Sequence, residues 1–133
     1  MDDGGGPNWK KNVVDAPIIV DTKTPGQWFV QPMFYYLAHF SLFVPPGSVR
    51  VGIVSASSSV TTAAMEAVAF LTPDSTAVVV VVLNRAWLGQ SRTYSISVDG
   101  RAAMVFKVDI PADAVQSITL SLAGDEGQVS GAR

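Results

Sequence analysis

The sequence predicts a mainly β protein, a β-sandwich preceded by a single helix. After residue 47, apolar and polar side chains alternate with a period of two in several short segments, and turn signals separate those segments. Only residues 31–44 show helical spacing of apolar side chains. This pattern gives one helix followed by about six strands, whereas an immunoglobulin-like sandwich has about seven or more. The low strand count predicts that the chain is part of something larger.

Residues 1–30 are predicted to be irregular but ordered. Within them, residues 16–21 form a short apolar run, interpreted as an extended stretch buried on both faces. Thr24-Pro25-Gly26 then predicts a turn.

The predicted helix covers residues 31–44. Its apolar stripe consists of Met33, Tyr36, Leu37, Phe40, Phe43 and Val44. Pro32 suits the first helical turn, where its missing N–H would have had no partner, and Pro45-Pro46-Gly47 ends the helix. Because Phe34 and Leu42 lie off the stripe, we expect the helix to pack on two sides.

The predicted strands share alternation or a continuous apolar run, and they cover residues 49–53, 67–71, 77–83, 93–98, 104–110 and 118–122. Pro73-Asp74-Ser75 forms the tight turn of a hairpin, and Asp99-Gly100 forms another turn. Residues 55–62 are predicted to be a Ser/Thr-rich loop. The Gly/Ser-rich tail after residue 122 is predicted to be disordered.

The charged fraction, the net charge and the absence of cysteine exclude several kinds of partner and site. Only 15% of the residues are charged, against about 25% in an average soluble domain, so part of the surface is expected to be covered by other sequence. A net charge of −2 with scattered basic residues argues against a nucleic-acid partner. The lack of cysteine excludes disulfides, zinc thiolates and thiol catalysis. No apolar run is long enough for an integral membrane segment, and no signal-peptide pattern is expected near Met1.

No motif predicts a cofactor or a metal ion. Gly4-Gly5-Gly6 is not a phosphate-binding loop, because it lacks a preceding strand, spaced glycines and a Gly-Lys-Ser/Thr ending.

Three stretches carry a family resemblance: GGPNWKKNVVDAPIIVD, QPMFYYLAHFSLFVPPGSVRVG and AVAFLTPDSTAVVVVVLNR. In this order and spacing they resemble the C-terminal part of the glucosylceramidases (acid β-glucosidases) of glycoside hydrolase family 30. The resemblance covers most of residues 4–85. It implies a (β/α)₈ barrel with an attached β-sandwich, completed in the family by strands that precede the barrel.

The resemblance also implies a division of the chain. Residues 1–46 would be the end of the catalytic barrel, namely the loop after its eighth strand and its eighth helix, and residues 47–133 the sandwich domain with its tail. The parent enzyme would be lysosomal or secreted and would act on a β-glucoside or glucosylceramide. Peripheral lipid contact would be compatible with such an enzyme.

The chain lacks the carboxyl pair that the resemblance requires. A retaining glycosidase uses two carboxyl groups about 5–5.5 Å apart, and in this family both are glutamates on barrel strands upstream of the matching region. Here the two glutamates, Glu66 and Glu126, are expected to be solvated surface residues. The chain by itself is therefore not expected to hydrolyse a substrate, and no catalytic residue is assigned.

Trp9 and Asn12 are the candidate substrate-binding residues. Loops after barrel strands lie at the catalytic face, and aromatic and amide side chains are suited to binding sugars. In the resembled family the second asparagine of the NW..N pattern, here Asn12, lines the glucose pocket, and loop stabilisation is the alternative role. For Trp9 the support of the loop is the favoured role. Val13 replaces an aromatic residue of the family, which implies a differently shaped rim.

The remaining polar candidates are interpreted as structural. Asp15 and Asp21 would be turn or cap carboxylates, Asp74 a turn residue, and His39 a histidine on the polar side of the helix.

Three functions stay open. The chain is part of a glucosylceramidase-type enzyme, part of another family-30 glycosidase such as a β-1,6-glucanase or β-xylosidase, or a non-catalytic sandwich module. A soluble, cooperatively folded chain would favour the third. The uncharged run AVVVVVL predicts aggregation instead if its neighbouring strands are missing.

Overall fold

The computed structural model describes residues 2–6, 9–10, 14–54, 65–86, 89–98, 106–122 and 130–132. The chain divides into two compact units, Met1–Ser41 and Leu42–Arg133. The first carries a β-hairpin and most of a helix, and the second carries the remaining strands.

A hairpin organises the first unit. Strand β1 (Ile18–Val20) pairs antiparallel with β2 (Trp28–Val30), and Val20 lies opposite Trp28. Gly26 at the turn has a φ of +85°, a conformation that favours glycine, and the Gln27 amide donates to the Thr24 carbonyl at 3.1 Å. The turn predicted at residues 24–26 is therefore confirmed. Strand β1 lies within the extended stretch predicted at residues 16–21, whereas β2 and its pairing with β1 were not predicted, because three-residue strands are too short to show a period.

The prediction that residues 16–21 are buried on both faces is wrong for this chain. Ile18 and Val20 remain 40% and 46% exposed, on the same side of the hairpin as the exposed Trp28. A two-stranded ribbon cannot cover its own faces, so their burial requires a second layer.

Helix α1 (Pro32–Phe43) begins and ends where the prolines predict. Pro32 occupies the first helical position, and the Phe34 amide donates to the Gln31 carbonyl at 2.9 Å. None of its twelve residues, all of which the structure describes, is buried, and Leu42 is 75% exposed. Among the described residues, the expected packing of α1 on two sides is not observed.

The second unit contains two antiparallel sheets. In chain order its strands are β3 (Val49–Val51), β4 (Met65–Leu71), β5 (Ala77–Asn84), β6 (Arg92–Ile96), β7 (Phe106–Ile110), β8 (Ala114–Ser121) and β9 (Ser130–Ala132). The larger sheet has the order β3-β4-β5-β8-β9, and the smaller sheet consists of β6 and β7. In the described residues the two sheets pack on a shared core, as the two layers of a sandwich do.

The core lies between the two sheets. Its buried members alternate along the larger sheet and meet Ile110 of the smaller one: Ala69, Val78, Val80, Val82, Ile118 and Leu120. The register places Ala69, Val80 and Ile118 side by side across β4, β5 and β8. This period of two is the pattern from which the strands were predicted, so the mainly β fold is confirmed.

Strand β5 is central and has both neighbours within the chain. Val79 and Val81, which alternate with the core valines, are also buried, so β5 is covered on both faces. The run AVVVVVL is therefore not an unpaired edge, because β4 and β8 bond it on either side.

The strand predictions after the helix correspond to β3–β8, with shifted ends. The prediction of a disordered tail is wrong for residues 130–132, because β9 pairs with Ser117–Thr119 of β8. The predicted loop at residues 55–62 and the turn at Asp99-Gly100 lie outside the described residues.

Candidate functional site

A closed turn precedes the predicted sugar-binding loop. One oxygen of Asp2, Oδ1, accepts hydrogen bonds from the Gly4 amide at 3.0 Å and the Gly6 amide at 2.6 Å. The Asp2 amide donates to the Gly6 carbonyl at 2.7 Å, and the Gly5 amide donates to the Asp2 carbonyl at 3.1 Å. The backbone amides that a phosphate-binding loop would offer to a ligand are therefore taken by the carboxylate and the main-chain carbonyl of Asp2.

The glycines of this turn have separate roles. Gly5 has a φ of +81°, which favours glycine, and it is buried. A Cβ on Gly6 would lie 3.1 Å from Oδ2 of Asp2, so a side chain there would press on the carboxylate. The run Gly4-Gly5-Gly6 is thus explained by the turn that it forms.

The turn is attached to the hairpin at two points. Asp2 forms a parallel bridge with Val20 of β1, and the Asp3 amide donates to the Val20 carbonyl at 3.1 Å. The Thr22 hydroxyl donates to Oδ1 of Asp3 at 2.5 Å. The segment that leads to Trp9 therefore starts from a fixed position at the edge of β1.

Trp9 presents its indole ring to solvent. Its exposure is 87%, and Nζ of Lys10 lies 5.4 Å from the ring centroid, within the distance of a cation–π contact. An exposed ring with a cation beside it can stack on the apolar face of a sugar. The role of Trp9, support of the loop or contact with a sugar, stays a prediction.

Asn12 and Val13 lie outside the described residues. Their roles at the site stay predictions.

Glu66 lies on the surface of the sandwich. Its Oε1 is 2.7 Å from Nη2 of Arg85, and both side chains are more than half exposed. The solvated position of Glu66 is confirmed, whereas its ion pair was not predicted, and the residue lies within β4 rather than before it. Glu126 lies outside the described residues.

Three aspartates were interpreted as structural. Each of them accepts hydrogen bonds from residues close to it in the chain. Asp21 accepts the Lys23 amide at 2.8 Å, and this bond lowers the pKa of Asp21 below its usual range. Asp15 accepts the Ala16 amide at 2.8 Å. Asp74 accepts the Thr72 and Thr76 hydroxyls at 2.6 and 2.8 Å, and these bonds lower the pKa of Asp74. The turn interpretation is confirmed for Asp74.

His39 lies on α1. Partial burial lowers its pKa, so the imidazole is neutral over a wider pH range.

Sequence reasoning missed Asn84, the most deeply buried polar residue among those that the structure describes. It is fully buried at the end of β5, where Nδ2 donates to the carbonyls of Gln90, Ile110 and Pro111 at 3.0, 3.3 and 2.8 Å. Its Oδ1 accepts the Ala86 amide at 3.0 Å. The sequence did contain a signal for this role, because Asn84 directly follows a run of seven apolar residues. A polar side chain buried at the end of such a run needs hydrogen-bond partners within the protein.

Models of two domains of one protein family match the two parts of the chain. The β-sandwich domain of glycosyl hydrolase family 30 matches residues 47–118, which is more than half of the chain. The chain belongs to glycoside hydrolase family 30. The TIM-barrel domain of the same family matches residues 1–44, a range that includes Trp9 and helix α1.

Curated relatives of this family-30 chain are glucosylceramidases by name. The lysosomal acid glucosylceramidase of Mus musculus is 54% identical over 82 residues, which cover 62% of this chain and 15% of the mouse protein. Putative glucosylceramidase 3 of Caenorhabditis elegans is 59% identical over 51 residues, 38% of this chain and 10% of the relative. Putative glucosylceramidase 1 of that organism is 42% identical over 88 residues, 66% of this chain and 16% of the relative. The chain therefore spans about a sixth or less of the length of these relatives.

Among the helices that the described residues form, none has the length and apolar character needed to cross a bilayer.

Proposed function

We propose that this chain is the C-terminal portion of a retaining β-glucosidase that hydrolyses glucosylceramide-type β-glucosides. In this proposal residues 1–46 belong to the catalytic barrel and supply one wall of the glucose pocket. Residues 47–133 form the accessory sandwich and its tail. The two catalytic glutamates belong to barrel sequence upstream of the matching region.

The observation that carries the proposal is the 54% identity with the mouse lysosomal acid glucosylceramidase. Identity at this level over 82 residues favours a shared substrate class as well as a shared fold. Trp9 belongs to a loop that the barrel family model covers, and in this proposal its indole ring forms part of the same wall. Asn12, three residues further on, would add hydrogen bonds to the sugar hydroxyls.

The exposed apolar surface of the first unit fits the same proposal. The hairpin and α1 expose large side chains, including Trp28, Phe29, Tyr35 and Leu37. Single exposed apolar residues are ordinary, but a cluster of this size marks a surface that another element covers. In the proposed enzyme the rest of the barrel covers it.

The parent enzyme would be lysosomal or secreted, in line with the name of the mouse relative. Its substrate carries a lipid, so the proposal includes peripheral contact with a lipid surface by the complete enzyme.

A chimaera tests the proposal. This chain would replace the segment that it matches in the mouse lysosomal acid glucosylceramidase, and hydrolysis of glucosylceramide and of a fluorogenic β-glucoside would be measured. The proposal expects turnover of both substrates. It expects Asn12→Ala and Trp9→Ala to raise KM, because each removes a contact with the sugar.

The control is the chimaera with Val49→Ala, which alters an exposed side chain of the sandwich and should leave KM unchanged. A chimaera that unfolds cooperatively yet hydrolyses neither substrate would refute the proposal. Cleavage of a β-1,6-glucan or a β-xyloside in place of glucosylceramide would favour another glycosidase of the same family.

A further inference from the structure

We propose that the second unit carries a binding site for one neutral sugar ring, in a cavity where β7, β8 and the segment before β6 meet. The site goes beyond the proposed function, because the residues that line the cavity lie outside residues 1–44, the range that the barrel model matches. It therefore uses a different set of side chains from the predicted wall with Trp9 and Asn12.

The cavity has a volume of about 280 Å³. Its apolar lining includes Ile110, Pro111 and Val115. Ile110 is fully buried, whereas Pro111 is exposed, so the cavity reaches from the surface to the core. Pockets for drug-sized ligands start at about 300 Å³, and this smaller space suits a single ring rather than a chain of sugars.

Hydrogen bonds from Asn84 hold the apolar wall in place. Its Nδ2 donates to the carbonyls of Ile110 and Pro111, at 3.3 and 2.8 Å. The same nitrogen donates at 3.0 Å to the carbonyl of Gln90, the residue before Ser91, which also lines the cavity. The cavity is therefore preformed, and a ligand would not have to order its walls before binding.

Gln116 is the central polar residue of the proposed site. Its Oε1 accepts the Tyr94 hydroxyl at 3.0 Å, a bond that joins the two sheets and fixes the plane of the amide. Within the described ranges Nε2 has no hydrogen-bond partner, so its N–H groups are available to a ligand oxygen. A carboxamide held in this way is suited to donating to a sugar hydroxyl.

Ser91 and Asp109 supply the exposed polar part of the lining. Oδ1 of Asp109 accepts the Thr93 hydroxyl, which leaves Oδ2 without a partner in the part of the chain that the structure describes. The Ser91 hydroxyl can both donate and accept. Because sugar hydroxyls also donate and accept, this mixed set suits their edges, while the apolar wall suits the C–H face of the ring.

The same lining disfavours other classes of ligand. It contains no Lys, Arg or His side chain, and the Asp109 carboxylate would repel an anion. It offers no aromatic ring on which a nucleobase could stack, and the described residues contain no group of three His, Cys, Asp or Glu side chains that could hold a metal ion. A small ammonium ion could pair with Asp109, but such an ion pair is solvated and contributes little.

Saturation-transfer NMR of the full 133-residue chain with D-glucose tests the site. We expect a Kd of about 1–10 mM, since the sugar exchanges bonds with water for a few bonds with the protein. Ser91→Phe places a ring at the cavity and should raise this Kd by at least about tenfold. Ser95→Phe is the matched control, because Ser95 is an exposed serine of β6 outside the lining, and it should leave the Kd unchanged.

Gln116→Glu separates sugar binding from folding. The new carboxylate can still accept the Tyr94 hydroxyl, but it has no N–H group for the sugar, so the Kd for D-glucose should rise about tenfold. Asp109→Asn retains an acceptor for Thr93 and for sugar hydroxyls, and its Kd should stay within about threefold of the parent. Ethylammonium, the second probe, would respond in the opposite way, with tighter binding to Gln116→Glu and weaker binding to Asp109→Asn.

The outcomes separate this site from the proposed function. The absence of D-glucose binding to the parent chain, an unchanged Kd in Ser91→Phe, or binding of ethylammonium alone would overturn the cavity site. Loss of D-glucose binding in Trp9→Ala with an unchanged Kd in Ser91→Phe would also overturn it, and that result would support the wall of the proposed function. Loss in Ser91→Phe with an unchanged Kd in Trp9→Ala would support the cavity site.

Discussion

Nδ2 of Asn84 lies 2.8 Å from the carbonyl oxygen of Pro111, and this contact joins the end of β5 to the connection between β7 and β8. The same nitrogen donates to Gln90 and Ile110, so a single amide bridges the segment before β6 and the end of β7. Since Asn84 also accepts the Ala86 amide, it satisfies main-chain groups of three segments that meet at one end of the sandwich.

Asn84→Ala should lower the free energy of unfolding of the chain by about 2–4 kcal/mol, because it leaves several buried main-chain groups without a partner. Urea unfolding followed by circular dichroism would measure the change. Gln90→Ala is the control, since the exposed side chain of Gln90 accepts a hydrogen bond from the Arg92 guanidinium at 2.8 Å, and its main-chain carbonyl is retained. An equal loss in both variants would contradict the bridging role.

Val80→Ala should cost about 2 kcal/mol of unfolding free energy, since it opens a cavity at the centre of the core. Val80 is 2% exposed and lies between Ala69 and Ile118. The same substitution at Val49, which is 63% exposed on the edge strand β3, should change stability by less than about 0.5 kcal/mol. Thermal unfolding of the two variants would compare them, and similar losses would argue against a core between the sheets.

Stability should fall at high pH because of Tyr94. Burial raises its pKa to about 12, and its hydroxyl donates to Oε1 of Gln116 at 3.0 Å. The folded state therefore holds the proton after the unfolded chain has lost it. The stabilisation is complete below the ordinary tyrosine pKa of about 10 and is lost between about pH 10 and pH 12.

Unfolding free energies measured across this pH window would check the prediction. Tyr94→Phe should remove this part of the pH dependence, and Tyr35→Phe, on the exposed surface of α1, should retain it. If Tyr94→Phe loses as much unfolding free energy at alkaline pH as the parent does, groups other than Tyr94 cause the loss.

Glu66→Gln should leave kcat of the chimaera unchanged, since Glu66 pairs with Arg85 on the surface of the sandwich and belongs to no carboxyl pair of the barrel. The lost ion pair should cost no more than about 1 kcal/mol of unfolding free energy, because both partners are solvated. A fall of kcat by several orders of magnitude would identify Glu66 as a catalytic group. The Arg85→Gln variant supplies the control for loss of the pair.

Local chemistry made much of this fold predictable. Pro32 and the pair at residues 45 and 46 set the limits of α1, and Pro73-Asp74 with alternation on either side predicted the hairpin of β4 and β5. The hairpin β1–β2 was missed because its strands are three residues long. Strand β9 was missed because serine, glycine and alanine carry no hydrophobic pattern, and pairing with β8 determines its structure.

The candidate site was predictable only in part. The NW..N pattern pointed to Trp9 and Asn12, but the hydrogen bonds from the Gly4 and Gly6 amides to the Asp2 carboxylate are not visible in a sequence.

The sequence by itself determined which segments are helix and strand, because periodicity, prolines and turn residues act locally. It also determined the family, through three long stretches of matching residues. Only the tertiary structure decided that Asn84 is a buried bridge, that β5 is covered on both faces, and that the glycines of residues 4–6 surround the carboxylate of Asp2. These features depend on contacts between segments that are brought together by folding, and burial and hydrogen bonding at such contacts follow from three-dimensional packing rather than from neighbours in the chain.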